Sequence, residues 1–194
     1  MSNGCSLCQG RGGGIAGVCE RCGRREITEC LSGCTPVLSV DGYRRIDSIE
    51  RGSSILGYSD EVEGAVTAVV KRQSKSVSRA IWQIETAAVE KPIECTFGHP
   101  FLTADGWRWA FRLKAGDILP AFSPDKGFYE NEVVKITRVK RAENVYSLIA
   151  SRPNNYMIEG AICHSFGIFR RLRSRIENRM NGDQYIGYLS SDHL

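Results

Sequence analysis

Residues Pro36–Leu56 (PVLSVDGYRRIDSIERGSSIL) recur in looser form as Pro100–Pro120 (PFLTADGWRWAFRLKAGDILP), with Asp-Gly at the same place in both copies, Asp41-Gly42 and Asp105-Gly106. Asp-Gly supplies the positive φ angles of a tight hairpin, so a repeat of this kind predicts a duplicated β unit. Two related units imply a pseudo-twofold axis. Potentially reactive side chains stand just ahead of each copy: Cys30, Cys34 and Thr35 before the first, and Cys95, Thr96 and His99 before the second. An axis of this kind would bring those clusters near each other, and near a third, Cys163-His164-Ser165.

The segments around the repeat read as strands as well. Pro36–Val40, Ile55–Tyr58, Val66–Val70, Ala80–Thr86, Ile93–Thr96, Val133–Val139, Val145–Ile149 and Tyr156–Ile158 are rich in β-branched and aromatic residues. Several of them alternate apolar with polar positions, as half-buried strands do. Only Arg44–Glu50 and Arg108–Lys114, at equivalent places in the repeat, are candidates for single helical turns. Residues 30–165 are therefore expected to form an all-β domain.

The flanks differ in kind. Residues 1–29 are rich in Gly and Cys and nearly devoid of core-forming residues, so a bound ion rather than apolar burial is expected to order them. Cys5-x-x-Cys8 and Cys19-x-x-Cys22 are two knuckles with the spacing of a tetrahedral Zn²⁺ site. The run from Cys5 to Gly12 also resembles one repeat of the cysteine-rich zinc region of DnaJ-type chaperones, although the second knuckle departs from that pattern. Residues 166–194 place Phe166, Phe169, Leu172, Ile176 and Met180 at helical spacing among five arginines, the pattern of a basic amphipathic helix. The first residues lack the apolar run of a signal peptide and no stretch has the length of a membrane span, which makes the cytoplasm the expected location. Cysteines there serve as metal ligands or active thiols more often than as a disulfide framework.

Three blocks carry a resemblance to a known family. Cys30-Leu31-Ser32-Gly33-Cys34-Thr35-Pro36-Val37 followed by Asp41-Gly42 resembles the opening block of inteins and hedgehog-type autoprocessing domains, the Hint superfamily. Thr96-Phe97-Gly98-His99-Pro100-Phe101 resembles their Thr-x-x-His block, and Val145-Tyr146-Ser147-Leu148 with Asn155 through His164 resembles their closing strands. The resemblance implies a horseshoe-shaped, pseudo-twofold β fold. It further implies that Cys30 attacks the Glu29 carbonyl and exchanges the amide for a thioester, with His99 as proton donor, Thr96 orienting the peptide and His164 assisting at the far end. The chain's own polypeptide is then the substrate, and no cofactor enters the reaction.

The departures from the family pattern shape the expectation. Ser165 follows His164 where splicing requires an Asn able to cyclise, so N-terminal cleavage or ligation is expected in place of full splicing. Ser147 occupies a place that often carries an acidic residue or a Cys. The alternative is a catalytically silent scaffold whose zinc module and basic helix bind a protein or nucleic acid; the arginines near the knuckles lack interleaved aromatics, which leaves the nucleic-acid signal weak. A third alternative is a thiol redox protein using Cys30 and Cys34.

Overall fold

The computed structural model describes residues 29–165. The zinc knuckles at Cys5, Cys8, Cys19 and Cys22 and the basic helix after Ser165 lie outside the described residues. The first half of the described chain holds β1 (Leu31–Ser32), β2 (Pro36–Ser39), β3 (Gly42–Arg45), β4 (Ser54–Ser59), β5 (Gly64–Ser78), β6 (Ile81–Thr86) and β7 (Ile93–Cys95). The second half holds β8 (Pro100–Thr103), β9 (Gly106–Trp109), β10 (Ile118–Ser123), β11 (Gly127–Val139), β12 (Glu143–Ala150), β13 (Asn155–Ile158) and β14 (Ala161–His164). The two expected helical turns are single 3₁₀ turns at Ile46–Ser48 and Ala110–Arg112.

The duplication is visible bond by bond. Ile46 donates its backbone N–H to Thr35 O at 2.9 Å, and its counterpart Ala110 donates to His99 O at 2.8 Å. Thr35 N–H closes a turn onto Ser32 O at 3.0 Å, and His99 N–H closes the same turn onto Thr96 O at 3.1 Å. Side chains repeat too: Val37, Ile46, Ile49 and Ile55 share the main core with their counterparts Phe101, Ala110, Leu113 and Leu119. Thr35 and His99 therefore occupy equivalent places, so one scaffold position carries a hydroxyl in one copy and an imidazole in the other.

The hairpins are built differently from the Asp-Gly expectation. Ser39 pairs with Gly42 and Thr103 with Gly106, so the two-residue loops are Val40-Asp41 and Ala104-Asp105, with the glycine closing each turn. Positive φ falls on the glycines alone, 108° at Gly42 and 101° at Gly106. The aspartates keep ordinary angles because a hydroxyl braces the loop: Ser39 Oγ accepts from Asp41 N–H and donates to Gly42 O, as Thr103 Oγ1 does with Asp105 and Gly106.

Exchange between the copies closes the molecule. β5 pairs with β4 of its own unit over Gly64–Val69, then with β12 of the other unit over Val70–Ser78. β11 mirrors it, pairing with β10 over Gly127–Glu132 and with β6 over Val133–Val139. A bulge marks each changeover, where an extra residue bends the strand toward its new partner. The stretch Lys71–Ser78 was not expected as strand because its polar residues lack an apolar face; ladder bonds to β12 hold it while many of its side chains remain in solvent.

Asn131 pins the second changeover. Fully buried, it donates to Thr86 Oγ1 at 3.0 Å and Gly160 O at 2.8 Å and accepts from Ala88 N–H at 2.9 Å. Asn131→Ala strands all three partners, and unsatisfied buried groups cost about 1–3 kcal/mol each. The expected loss is about 2–4 kcal/mol in urea denaturation, allowing for partial relaxation.

Candidate functional site

β1 is two residues long, yet it sits between β7 and β12, with Leu31 opposite both Cys95 and Tyr146. That placement carries Cys30 to the end of β7, where the chain turns into Thr96. Thr96 Oγ1 accepts from Cys30 N–H at 2.9 Å and lies 3.2 Å from Cys30 O, while Thr96 N–H donates to Cys30 O at 2.9 Å. The N–H in the first of these bonds belongs to the Glu29–Cys30 peptide. A single residue therefore fixes the orientation of that peptide plane.

His99 follows one turn later and packs its ring edgewise on Phe101 at 5.1 Å between centroids. It is 1% exposed, and neither ring nitrogen has a hydrogen-bond partner. Burial pushes the imidazole down to about 3; the backbone of Glu29 pulls the other way by favouring the charged ring, and nearby His164 adds a smaller downward push. Glu29, whose backbone exerts this pull, is the residue that precedes Cys30. The Cys30 thiol, packed with Ile81 and Val145, is pushed up to about 12 by burial, partly offset by a hydrogen bond from Ser147. At neutral pH both groups stand neutral, and a separated thiolate and imidazolium would be far uphill.

His164 closes the last strand. Its Nδ1 lies 2.8 Å from Ser165 O, its ring packs edgewise on Trp107 at 4.9 Å, and burial lowers its pKa. It also lines a groove of about 340 Å³ together with Leu102, Trp107, Asp60 and Glu61. Because Phe101 pairs with Cys163 across β8 and β14, the segments holding His99 and His164 are neighbours. Ser165 is 2% exposed, and its hydroxyl accepts from Ala150 N–H at 2.7 Å, a structural engagement.

Cys34 stands apart. It is exposed, its sulfur 3.5 Å from Ser32 Oγ, whereas Cys30 is buried; both are free thiols. Cys95, one of the potentially reactive side chains ahead of the second copy, is wholly buried in the main core as a small apolar residue. Among the described residues no group of three or more His, Cys, Asp or Glu side chains is arranged to hold a metal ion. Nor is any described helix long and apolar enough to cross a membrane.

The buried groups set a pH window for stability. The unfolded chain takes up a proton on His99 below about 6.5 that the folded chain refuses until about 3, so stability falls as pH drops through that range; His164 acts in the same direction. Above about 9 the unfolded chain loses the Cys30 proton that the folded chain keeps to about 12, so stability falls again, with buried Cys95 and Cys163 adding to the loss. Thermal melts from pH 4 to 10 are expected to plateau between these limits. His99→Gln removes one proton from the acid limb, a slope change of about 1.4 kcal/mol per pH unit.

No protein-family model matches this chain, and no curated protein matches it. Solved structures do. A bacterial intein-like domain from Clostridium thermocellum superposes with a TM-score of 0.64 at 19% identity, covering 71% of this chain and 99% of that one. The DnaB intein from Synechocystis gives 0.64 at 20% identity, covering 71% and 99%. The DnaX mini intein from Spirulina platensis gives 0.61 at 24% identity, covering 71% and 100%. Taken with the duplicated, strand-exchanged architecture, these likenesses establish that residues 29–165 have the all-β Hint fold of inteins and intein-like domains.

Proposed function

We propose that this domain processes its own chain at the Glu29–Cys30 peptide by an N-to-S acyl shift, leading to cleavage or ligation on that side and not to complete splicing. The observation that carries this reading is that Thr96 holds, through the Cys30 N–H, the one peptide bond whose C-terminal residue bears a thiol, with His99 a single turn beyond Thr96. Attack of the Cys30 sulfur on the Glu29 carbonyl carbon closes a five-membered ring through Cβ, Cα and the amide nitrogen. The C–S bond forms as the carbonyl π pair moves to oxygen; collapse then breaks the C–N bond and frees the α-amine of Cys30. The thiol gives up one proton and the departing nitrogen gains one. A neutral His99 suits that exchange, receiving the proton as sulfur attacks and delivering it to nitrogen.

Nucleophile and carbonyl belong to adjacent residues, so little translational entropy is lost, and effective molarities on the order of 10⁵ M are attainable for such intramolecular attack. Water or a thiol then takes the acyl group from sulfur. The freed piece, residues 1–29, is proposed to be a module holding Zn²⁺ at Cys5, Cys8, Cys19 and Cys22. Ser165 cannot form the succinimide that an Asn forms, which is why the reading stops at the N-terminal side.

The test is the intact mass of the chain, tagged at both ends, before and after incubation with a small thiol. Two fragments meeting between Glu29 and Cys30, the first carrying the thiol as a thioester, support the reading. A single uncut mass at every thiol concentration and pH overturns it in favour of a silent scaffold, for which the neutral resting state of Cys30 and His99 already provides a rationale.

A further inference from the structure

The sheet is apolar on both faces around β13 and β14. Val37, Phe101, Tyr156, Ile158 and Cys163 belong to the main core, and their alternate neighbours Leu38, Met157 and Ile162 form a second buried cluster on the opposite face. Antiparallel sheets commonly give that second face to solvent and polar residues. Here Leu56, Tyr58, Leu102 and Trp107 extend the cluster while only partly buried themselves. The β10–β11 hairpin shields part of this face: Phe122 packs on the cluster, and Phe128 meets Phe122 and Tyr58 with ring centroids 4.9 and 5.6 Å apart. Another part stays open as the groove of about 340 Å³, with Tyr58 of β4 on one wall and Leu102 and Trp107 of β8 and β9 on the other.

Two observations identify what covers it. The first is where the chain leaves the sheet. His164 lines the groove with its ring edgewise on Trp107, and Ser165 N–H donates at 2.7 Å to the carbonyl of Asn154, another lining residue. Residue 166 therefore starts at the groove wall. A segment tethered so closely meets the groove at an effective concentration of about millimolar, so even weak docking is populated. The second observation is complementarity. Phe166, Phe169, Leu172, Ile176 and Met180 recur at helical spacing, and an apolar stripe of that kind requires an apolar surface. Arg170, Arg171, Arg173, Arg175 and Arg179 are interspersed with them. The groove also carries the exposed carboxylates of Asp60 and Glu61, beside the guanidinium of Arg152. Neither carboxylate has an ion-pair partner among the described residues.

We propose that this face is an internal docking surface for residues 166–180 of the same chain, with Phe166 and Phe169 entering the groove beside Trp107 and the neighbouring arginines facing Asp60 and Glu61. Docking removes the partly exposed Tyr58, Leu102 and Trp107 from water together with the apolar stripe of the segment. It also covers the groove side of His164. The inference does not depend on cleavage at Glu29.

The experiment places the photo-crosslinking residue p-benzoylphenylalanine at Ser59, which lines the groove, in the full chain, with a control at Val134, an exposed position on β11 that does not line it. Adducts formed on illumination are sized by intact mass and mapped by peptide mass spectrometry. The expected product is a monomer in which position 59 is joined to a residue within 166–180, absent from the Val134 control. Phe166→Asp combined with Phe169→Asp is expected to lower its yield at least about tenfold, as the loss of buried aromatic rings requires. Asp60→Lys combined with Glu61→Lys is expected to lower it about two- to fivefold at low salt, a difference that vanishes at high salt. None of these four positions lies in a described strand, so the sheet survives the changes. A dimer-mass adduct joining two chains overturns the proposal and assigns the face to self-association. An adduct to residues 1–29, or none beyond the control, overturns it as well. An adduct undiminished in either double variant reports tether proximity alone and likewise overturns it.

Discussion

Cys30→Ala is expected to abolish cleavage between Glu29 and Cys30 at every thiol concentration and pH, leaving one uncut chain in intact-mass measurements. The effect is total because, among the described residues, no other side chain is placed to replace the sulfur. Ser147 reaches the thiol by a hydrogen bond, and Cys34 is on the surface. Folding is expected to survive. Cys30 belongs to a small cluster with Ile81 and Val145, and losing one buried sulfur there costs about 1 kcal/mol, well below the loss of a large core side chain. The backbone bonds between Cys30 and Thr96 also remain, since they use the main chain of residue 30. A folded, inert Cys30→Ala chain is therefore the reference against which every other variant is read.

His99→Ala is the second large effect, a fall in cleavage rate of about 10²–10⁴-fold, the range over which a positioned proton-transfer group contributes. The mechanism gives this variant a signature in pH. With the thiol pushed up to about 12 and the imidazole down to about 3, the reactive neutral pair is fully populated between them, so the wild-type acyl shift is expected to be nearly flat from pH 5 to 9. Without His99, attack requires the thiolate from bulk solvent, and the residual rate is expected to rise about tenfold per pH unit over the same range. A flat residual profile in His99→Ala counts against proton transfer through the imidazole. Added imidazole restoring part of the rate at neutral pH supports it.

The path from sequence to site was uneven for physical reasons. The expected strands lie within or across observed ones because β-branched and aromatic runs with one buried face advertise themselves. The same logic failed over Lys71–Ser78, whose order comes from ladder bonds to a strand some seventy residues away. Asp-Gly announced two hairpins at the correct places but left their geometry open, and the Ser39 and Thr103 hydroxyls made the glycine alone take the left-handed angle. Cys30, Thr96 and His99 stood out in the sequence because reactive residue types preceded each copy of the repeat.

Residues alone revealed the duplication, the all-β character and the identity of the groups ahead of each copy, because these follow from local spacing and side-chain chemistry. Tertiary structure alone decided that β5 and β11 would exchange partners, that the chemically similar thiols Cys30 and Cys34 would be buried and exposed respectively, and that the His99 imidazole would be buried. Burial and long-range pairing are properties of where distant segments meet, and the energies that silence or prime a group come from that meeting.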